Sequence, residues 1–61
     1  MWTIVYMAKN IELAQRLKDV LSEHNIIVMV RTIKKEQTAG YEILVPGAEV
    51  EEALGIIIDE T

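Results

Sequence analysis

The chain has 61 residues, of which 51% are hydrophobic and 26% charged, and it carries a formal net charge of −4. This length predicts one small domain over residues 1–61, which buries only about 60% of its unfolded surface and needs close packing or oligomerisation for stability. The lack of cysteine excludes disulfides and thiolate metal sites, and the acidic balance argues against nucleic-acid binding, which depends on basic residues that neutralise phosphates.

The first two predicted elements are a strand and an amphipathic helix. Residues Trp2 to Met7 are apolar, β-branched and aromatic except for Thr3, a composition typical of a strand. Asn10 is a candidate N-cap residue because its side-chain oxygen can accept from a free backbone N–H of the first turn. One face of an amphipathic helix follows, at spacings of three and four, and consists of Leu13, Ala14, Leu17, Val20, Leu21 and His24. Asn25 tolerates the left-handed conformation and is a candidate helix stop.

A hairpin is predicted after this helix. The apolar run from Ile26 to Ile33 indicates a second strand, and the charged and polar stretch from Lys34 to Gly40 indicates a loop. Gly40 is expected to relieve backbone strain where the loop closes. Residues Tyr41 to Val45 form the third predicted strand, which ends at Pro46-Gly47.

The last segment, Glu49 to Glu60, is predicted to be a second helix. Its apolar residues follow the i, i+3, i+4, i+7, i+8 pattern of a helix face: Val50, Ala53, Leu54, Ile57 and Ile58. Acidic residues in its first turn suit the helix dipole. Residues 56–58 would also suit a strand, but the unbroken stripe favours the helix.

The order β-α-β-β-α predicts an α+β fold. A right-handed crossover makes the first two strands parallel, and the hairpin places the third strand between them and antiparallel to both. The result is a split βαβ, or ferredoxin-like, arrangement that lacks the fourth strand. Its three-stranded antiparallel sheet has the order 1-3-2, and both helices pack on one face.

The second face of this predicted sheet is unusually apolar for a surface in contact with water. Strict alternation places Trp2, Ile4 and Tyr6 on the helix-covered face. The other face then carries five apolar residues: Val5, Met7, Ile27, Met29 and Leu44. A contiguous patch of this kind usually marks an interface, and a homodimer is the simplest interpretation. Two alternatives are a C-terminal segment that folds back as a fourth strand and a face that is simply exposed.

One local basic cluster, formed by Arg31, Lys34 and Lys35, lies beside the predicted hairpin loop. It is the segment best suited to bind a small anion or a nucleotide phosphate. The alternative is that these long side chains are solvated and protect the edge of the second strand from pairing with other chains.

The remaining polar residues do not form a catalytic or metal-binding pattern. His24 has no evident partner for base or ligand chemistry, and a partly buried place at the helix end, near the dipole, explains it. Glu49, Glu51 and Glu52 are explained by the dipole of the second helix. The sequence therefore predicts no catalytic residue, no metal and no cofactor.

Four stretches of the chain resemble a family of short bacterial proteins that are described as signal-transducing domains and have a PII-like, or GlnB-like, fold. These stretches are residues Met1–Ala8, Val28–Arg31, Thr38–Pro46 and Glu49–Ala53. The resemblance implies a ferredoxin-like half-fold, association through the sheet, and a regulatory or partner-binding role. It assigns no ligand residue to this chain.

Taken with the residue patterns, this favours a homo-oligomeric regulatory or protein-interaction module, with an unidentified protein as a further partner. A small-anion or nucleotide sensor is the alternative, and an enzyme is not expected. The longest purely apolar run, Ile26 to Val30, is far shorter than the roughly 20 residues that a membrane helix needs. The N-terminus has no basic region before its apolar run, so we expect a cytoplasmic protein without membrane association.

Overall fold

The elements follow the order β-α-β-β-α in the computed structural model, which describes residues 1–36 and 38–61. The strands are β1 (Trp2–Ala8), β2 (Met29–Lys35) and β3 (Thr38–Pro46), and the helices are α1 (Ile11–Glu23) and α2 (Val50–Glu60), with a 3₁₀ turn at Gly47–Glu49 before α2. The predicted element order is therefore confirmed.

The three strands form one antiparallel sheet in the order β1-β3-β2. Both helices pack on the same face of this sheet, which confirms the predicted ferredoxin-like α+β arrangement. The alternative in which the C-terminal residues form a fourth strand is wrong, because Ile56 to Ile58 lie inside α2.

The core lies between the sheet and the two helices. Its buried residues are Ala8, Ala14, Leu17, Leu21, Ile26, Ile43, Val45, Ala53 and Ile57. All five helical members come from the predicted stripes, because the 3.6-residue period brings positions three and four apart onto one face. None of the helices in the described residues is long and apolar enough to cross a bilayer.

Local backbone chemistry fixes both ends of α1. The Asn10 side-chain oxygen accepts from the Leu13 N–H at 2.8 Å, which confirms the predicted N-cap. At the other end Asn25 is left-handed, with φ 63°, as predicted. The Ile26 N–H donates to the Leu21 carbonyl at 3.1 Å and the Asn25 N–H to the Ser22 carbonyl at 2.9 Å, the pairing of a Schellman motif. The motif turns the chain back and buries Ile26 against Leu21.

The predicted bounds of the hairpin need correction. The second strand begins at Met29 and not at Ile26, because Ile26 completes the end of α1. The ladder continues through Lys34↔Ala39 and Lys35↔Thr38, so most of the predicted loop Lys34–Gly40 belongs to the strands. Glu36, in the turn, has a positive φ of 51°. Residue 37, also in the predicted loop, lies outside the described residues.

Candidate functional site

The face of the sheet opposite the helices is the candidate site, and we call it the open face. On β3, Ile43 and Val45 belong to the core, so Leu44 between them points to the open face. Its cross-strand neighbours Ile4 and Met29 share that face. By the same pairing the open face consists of Trp2, Ile4, Met7, Met29, Arg31, Ile33, Lys35, Gly40, Glu42 and Leu44.

A β-bulge in β1 decides which side chains reach this face. The register passes from Ile4↔Leu44 to Tyr6↔Ile43, so Val5 is the extra residue. Beyond the bulge the alternation of faces is reversed. Val5 and Tyr6 both pack against the core, whereas Ile4 precedes the bulge on the open face and Met7 follows it there.

This bulge corrects the predicted faces of β1. Val5 was expected on the second face and instead packs against the core. Trp2 and Ile4 were expected under the helices and instead lie on the open face. Strict alternation assumes an uninterrupted ladder, and the extra residue breaks that assumption.

The other predicted interface residues fall in two places. Met7, Met29 and Leu44 lie on the open face as expected. Ile27 lies in the connection before β2 and is exposed there, so it is not part of the sheet face. Ile33 was not singled out from the sequence, although its position two residues after Arg31 is the signal that places it on the open face.

The apolar part of the open face is buried at its centre and half-exposed around it. Leu44 is only 2% exposed, whereas Trp2, Ile4 and Met7 are exposed by 44%, 48% and 51%. A large aromatic and two large aliphatic side chains at this exposure are more than isolated surface hydrophobes, because they adjoin one another along β1. Contiguous apolar surface of this kind marks interaction sites.

An ion pair lies beside this apolar cluster. Arg31 Nε donates to Glu42 Oε1 at 2.7 Å, with Arg31 on the edge strand β2 and Glu42 on the central strand β3. The Glu42 side chain is 11% exposed and that of Arg31 is 55% exposed. The neighbouring side chains shield the carboxylate much more than the guanidinium.

The structure does not bring Arg31, Lys34 and Lys35 together as one anion site. Alternation along β2 places Arg31 and Lys35 on one face and Lys34 on the other. Arg31 is in addition occupied by Glu42. Lys34 and Lys35 are exposed at the hairpin end of the sheet, as expected of side chains that protect a strand edge.

The role of Gly40 is to leave space on the open face, and not to allow a special backbone conformation in a loop. It lies within β3 and has no positive φ, so the predicted relief of strain at this position is wrong. A Cβ atom at Gly40 would lie 3.2 Å from the Met7 sulfur. The missing side chain therefore leaves room for Met7 to lie across β3.

The remaining predicted candidates are placed apart from the open face. His24 is the C-cap residue of α1 and is exposed, not partly buried as expected. Glu51 and Glu52 lie in the first turn of α2, and Glu49 precedes it. Within residues 1–36 and 38–61, no cluster of His, Cys, Asp and Glu has metal-binding geometry and no enclosed pocket is present.

Comparison with known proteins gives no relative for this chain: no family model, no curated protein and no solved structure matches it.

Proposed function

We propose that this chain is a homo-oligomeric regulatory or protein-interaction module, and that the open face binds a second copy of the chain. The observation that carries the proposal is the row of half-exposed apolar side chains Trp2, Ile4 and Met7 beside the buried Leu44. Burial of this row would supply the extra stability that a 61-residue domain without disulfides needs.

The dimensions of the sheet limit the interface that it can form. Three strands about 4.8 Å apart make a sheet roughly 15 Å wide, and the molecule is 33 Å long, so the flat face measures at most roughly 500 Å². A standard protein–protein interface buries about 800 Å² from each partner. A dimer through the open face must therefore cover nearly all of it and should be one that dissociates on dilution.

The distribution of charge also favours pairing through the sheet. The helical segments Ile11–Glu23 and Gly47–Glu60 carry eight of the ten acidic residues and two of the six basic ones, a net charge of −6. Two helical layers would repel each other. The centre of the open face carries one residue of each sign, Arg31 and Glu42, so a copy of this face meets no net like charge there.

A dimer through the sheet leaves the helical layer free for other proteins. The acidic outer surface of α1 and α2 would then be the site for an unidentified partner, and a basic surface is the complementary chemistry. The resemblance to bacterial signal-transducing domains supports a regulatory role of this type. We propose no catalytic reaction and no cofactor.

The test is the mass of the protein in solution, measured by light scattering and sedimentation over a hundredfold range of concentration. We expect a dimer that dissociates on dilution. Ile4→Lys places a charge in the apolar row and should give a monomer with an unchanged circular dichroism spectrum. The matched control is Ile58→Lys, since Ile58 is 72% exposed on α2, and this variant should remain a dimer.

A wild-type protein that is monomeric at every concentration would contradict the proposal. So would dissociation caused by Ile58→Lys but not by Ile4→Lys, since the interface would then lie on the helical layer. Continued growth beyond a dimer as concentration rises would indicate sheet-to-helix contact between copies, which forms open chains of molecules.

A further inference from the structure

The ion pair lies at the centre of the open face. Glu42 is on the central strand, and its cross-strand neighbours are Met7 on β1 and Arg31 on β2. Along the strands, the paired positions that contain Leu44 and Trp2 lie on one side of Glu42. Those that contain Gly40 and Lys35 lie on the other side. Any partner that covers the whole face must therefore cover this charged pair.

The pair as it stands uses only part of its hydrogen-bonding capacity. Glu42 Oε1 accepts from Arg31 Nε, and this is the only side-chain bond of either residue among residues 1–36 and 38–61. A carboxylate has a second oxygen, and a guanidinium has five N–H donors. In the isolated chain both residues still contact water, since the Arg31 side chain is 55% exposed and the Glu42 side chain 11% exposed.

Covering the face removes that water. A buried donor or acceptor without a partner is unfavourable, and a buried charged group without a partner is more unfavourable still. An apolar partner surface would leave the second Glu42 oxygen and the outer Arg31 N–H groups without partners. A second copy carries the same two groups. A two-fold axis that runs along the central strand through the centre of the face places the two Glu42 side chains beside each other, with one Arg31 on each flank.

We propose that Arg31 and Glu42 of two copies join into one four-residue network across the two-fold axis, and that this network determines the register and the choice of partner. Arg31 of each copy keeps its bond to its own Glu42 and donates its outer N–H groups to Glu42 of the other copy. This inference rests on the proposed dimer.

The network contributes mainly to specificity. A buried ion pair adds little stability compared with apolar residues of the same volume, because desolvation offsets the attraction. It does penalise wrong partners, since a shifted register or an apolar surface leaves the charges unpaired. The apolar row Trp2, Ile4 and Met7 then supplies the affinity, and the central pair selects a second copy of this chain.

The test exchanges the charges between copies. R31E has two carboxylates at the centre of the face and E42R has two basic groups, so each variant alone should self-associate at least tenfold more weakly than the wild type. An equimolar mixture should form a heterodimer at least tenfold tighter than either homodimer, because the acidic centre meets the basic one. Native mass spectrometry and sedimentation with one labelled variant measure both quantities.

Two further variants serve as controls. E12R and R16E make the same changes of charge on the exposed surface of α1, and mixing them should leave the affinity at the wild-type value. The double variant R31E/E42R restores an opposite-charge pair within each chain and should form a homodimer. Its dimerisation shows that the reversed residues are compatible with the fold.

The outcomes separate this inference from the proposed dimer. If the wild type dimerises but the mixture of R31E and E42R is no tighter than each variant alone, the network is overturned and the dimer stands. If the wild type is a monomer, both are overturned. Should a reversed variant fail to fold, E42Q replaces it: a dimer at least tenfold weaker supports the network, and wild-type affinity overturns it.

Discussion

The two faces of the central strand β3 carry similar apolar residues, but only one of these faces is packed against the helices. Ile43 and Leu44 are consecutive on β3, and both are almost inaccessible to water. Ile43 is buried by helices, in a core that includes Leu17 and Ala53. Leu44 is not part of that core, and its cross-strand neighbours on the open face are Ile4 and Met29. An apolar sequence therefore does not tell which face a single chain covers by itself.

The difference has an energetic consequence. Burial on the helix-covered face is complete within one chain and does not depend on concentration. Burial on the open face stops at the half-exposed Trp2, Ile4 and Met7. If a second copy completes it, the stability of this face depends on protein concentration through mass action.

The strongest test of this comparison truncates the two consecutive residues in turn. Ile43→Ala should cost about 2–5 kcal/mol of unfolding free energy, because it opens a cavity in the core. A domain of this size has only a few kcal/mol in total, so this loss removes a large part of its stability. Leu44→Ala should destabilise the isolated chain less, because the sheet side chains around it can relax into the space, and it should weaken the dimer.

Chemical denaturation at two protein concentrations a hundredfold apart distinguishes the two effects. For Ile43→Ala the midpoints at both concentrations should fall by the same amount, so that the difference between them keeps the wild-type size. For Leu44→Ala that shift should shrink. Equal shifts in both variants would mean that the two faces do not differ in the way described.

The bulge in β1 gives the next largest contrast. Val5→Asp places a carboxylate against the core and should cost a few kcal/mol, because a charge that is partly buried without a partner is unfavourable. In Ile4→Asp, one residue earlier, the new carboxylate faces water. This variant should lower the unfolding free energy of the monomer much less than Val5→Asp does. Thermal unfolding followed by circular dichroism compares them, and a larger loss for Ile4→Asp would place the bulge elsewhere.

A smaller effect is expected where α1 begins. Asn10→Ala removes the acceptor for the Leu13 N–H and should cost about 1 kcal/mol. Asn10→Asp keeps an acceptor oxygen and should retain most of this stability. Because Asn10 is remote from the open face, the dimer dissociation constant of the folded variant should not change. A weaker dimer for Asn10→Ala would show that the helical cover and the open face are coupled.

The smallest expected effect is a stabilising substitution in α2, one of the two helices that pack on the sheet. Gly55 lies inside this helix, and an added Cβ would meet no atom within 4 Å. Gly55→Ala should therefore raise the unfolding free energy by about 0.5–1 kcal/mol through helix propensity and chain entropy. Urea denaturation measures the gain. No gain would mean that another contact of α2 offsets the propensity.

The element order was predictable because each element has its own periodicity and its own boundary residues. The apolar stripes of α1 and α2 identify two helices, and Asn10 and Asn25 mark the ends of the first one. With two helices and three strands in this order, the handedness of the crossover leaves few topologies. The sheet order 1-3-2 follows from that restriction.

The strand bounds were less predictable, because composition does not distinguish a polar strand end from a loop. Lys34 and Lys35 are exposed and charged, yet their backbone groups continue the ladder to β3. Conversely, Ile26 is apolar because it completes the Schellman motif and fills the core after α1, not because it lies in a strand.

The composition of the open face was only partly predictable. A bulge is visible in sequence when it breaks an alternation of polar and apolar residues, but β1 is apolar on both faces, so Val5 gives no signal. The Arg31–Glu42 pair depends on the register of β2 against β3, and this register could not be predicted from a loop of the wrong length. The predicted basic cluster also depends on the strand bounds. Because residues 31 and 34 both lie in β2, alternation places them on opposite faces.

The separation of charge between the two layers also affects how fast two copies meet. Each copy carries a net charge of −4, and at low ionic strength this long-range repulsion slows their approach. At physiological salt the Debye length is about 8 Å, shorter than even the smallest dimension of the molecule, which is 15 Å. Approaching sheets are then screened from the acidic helices behind them, so added salt should accelerate the encounter.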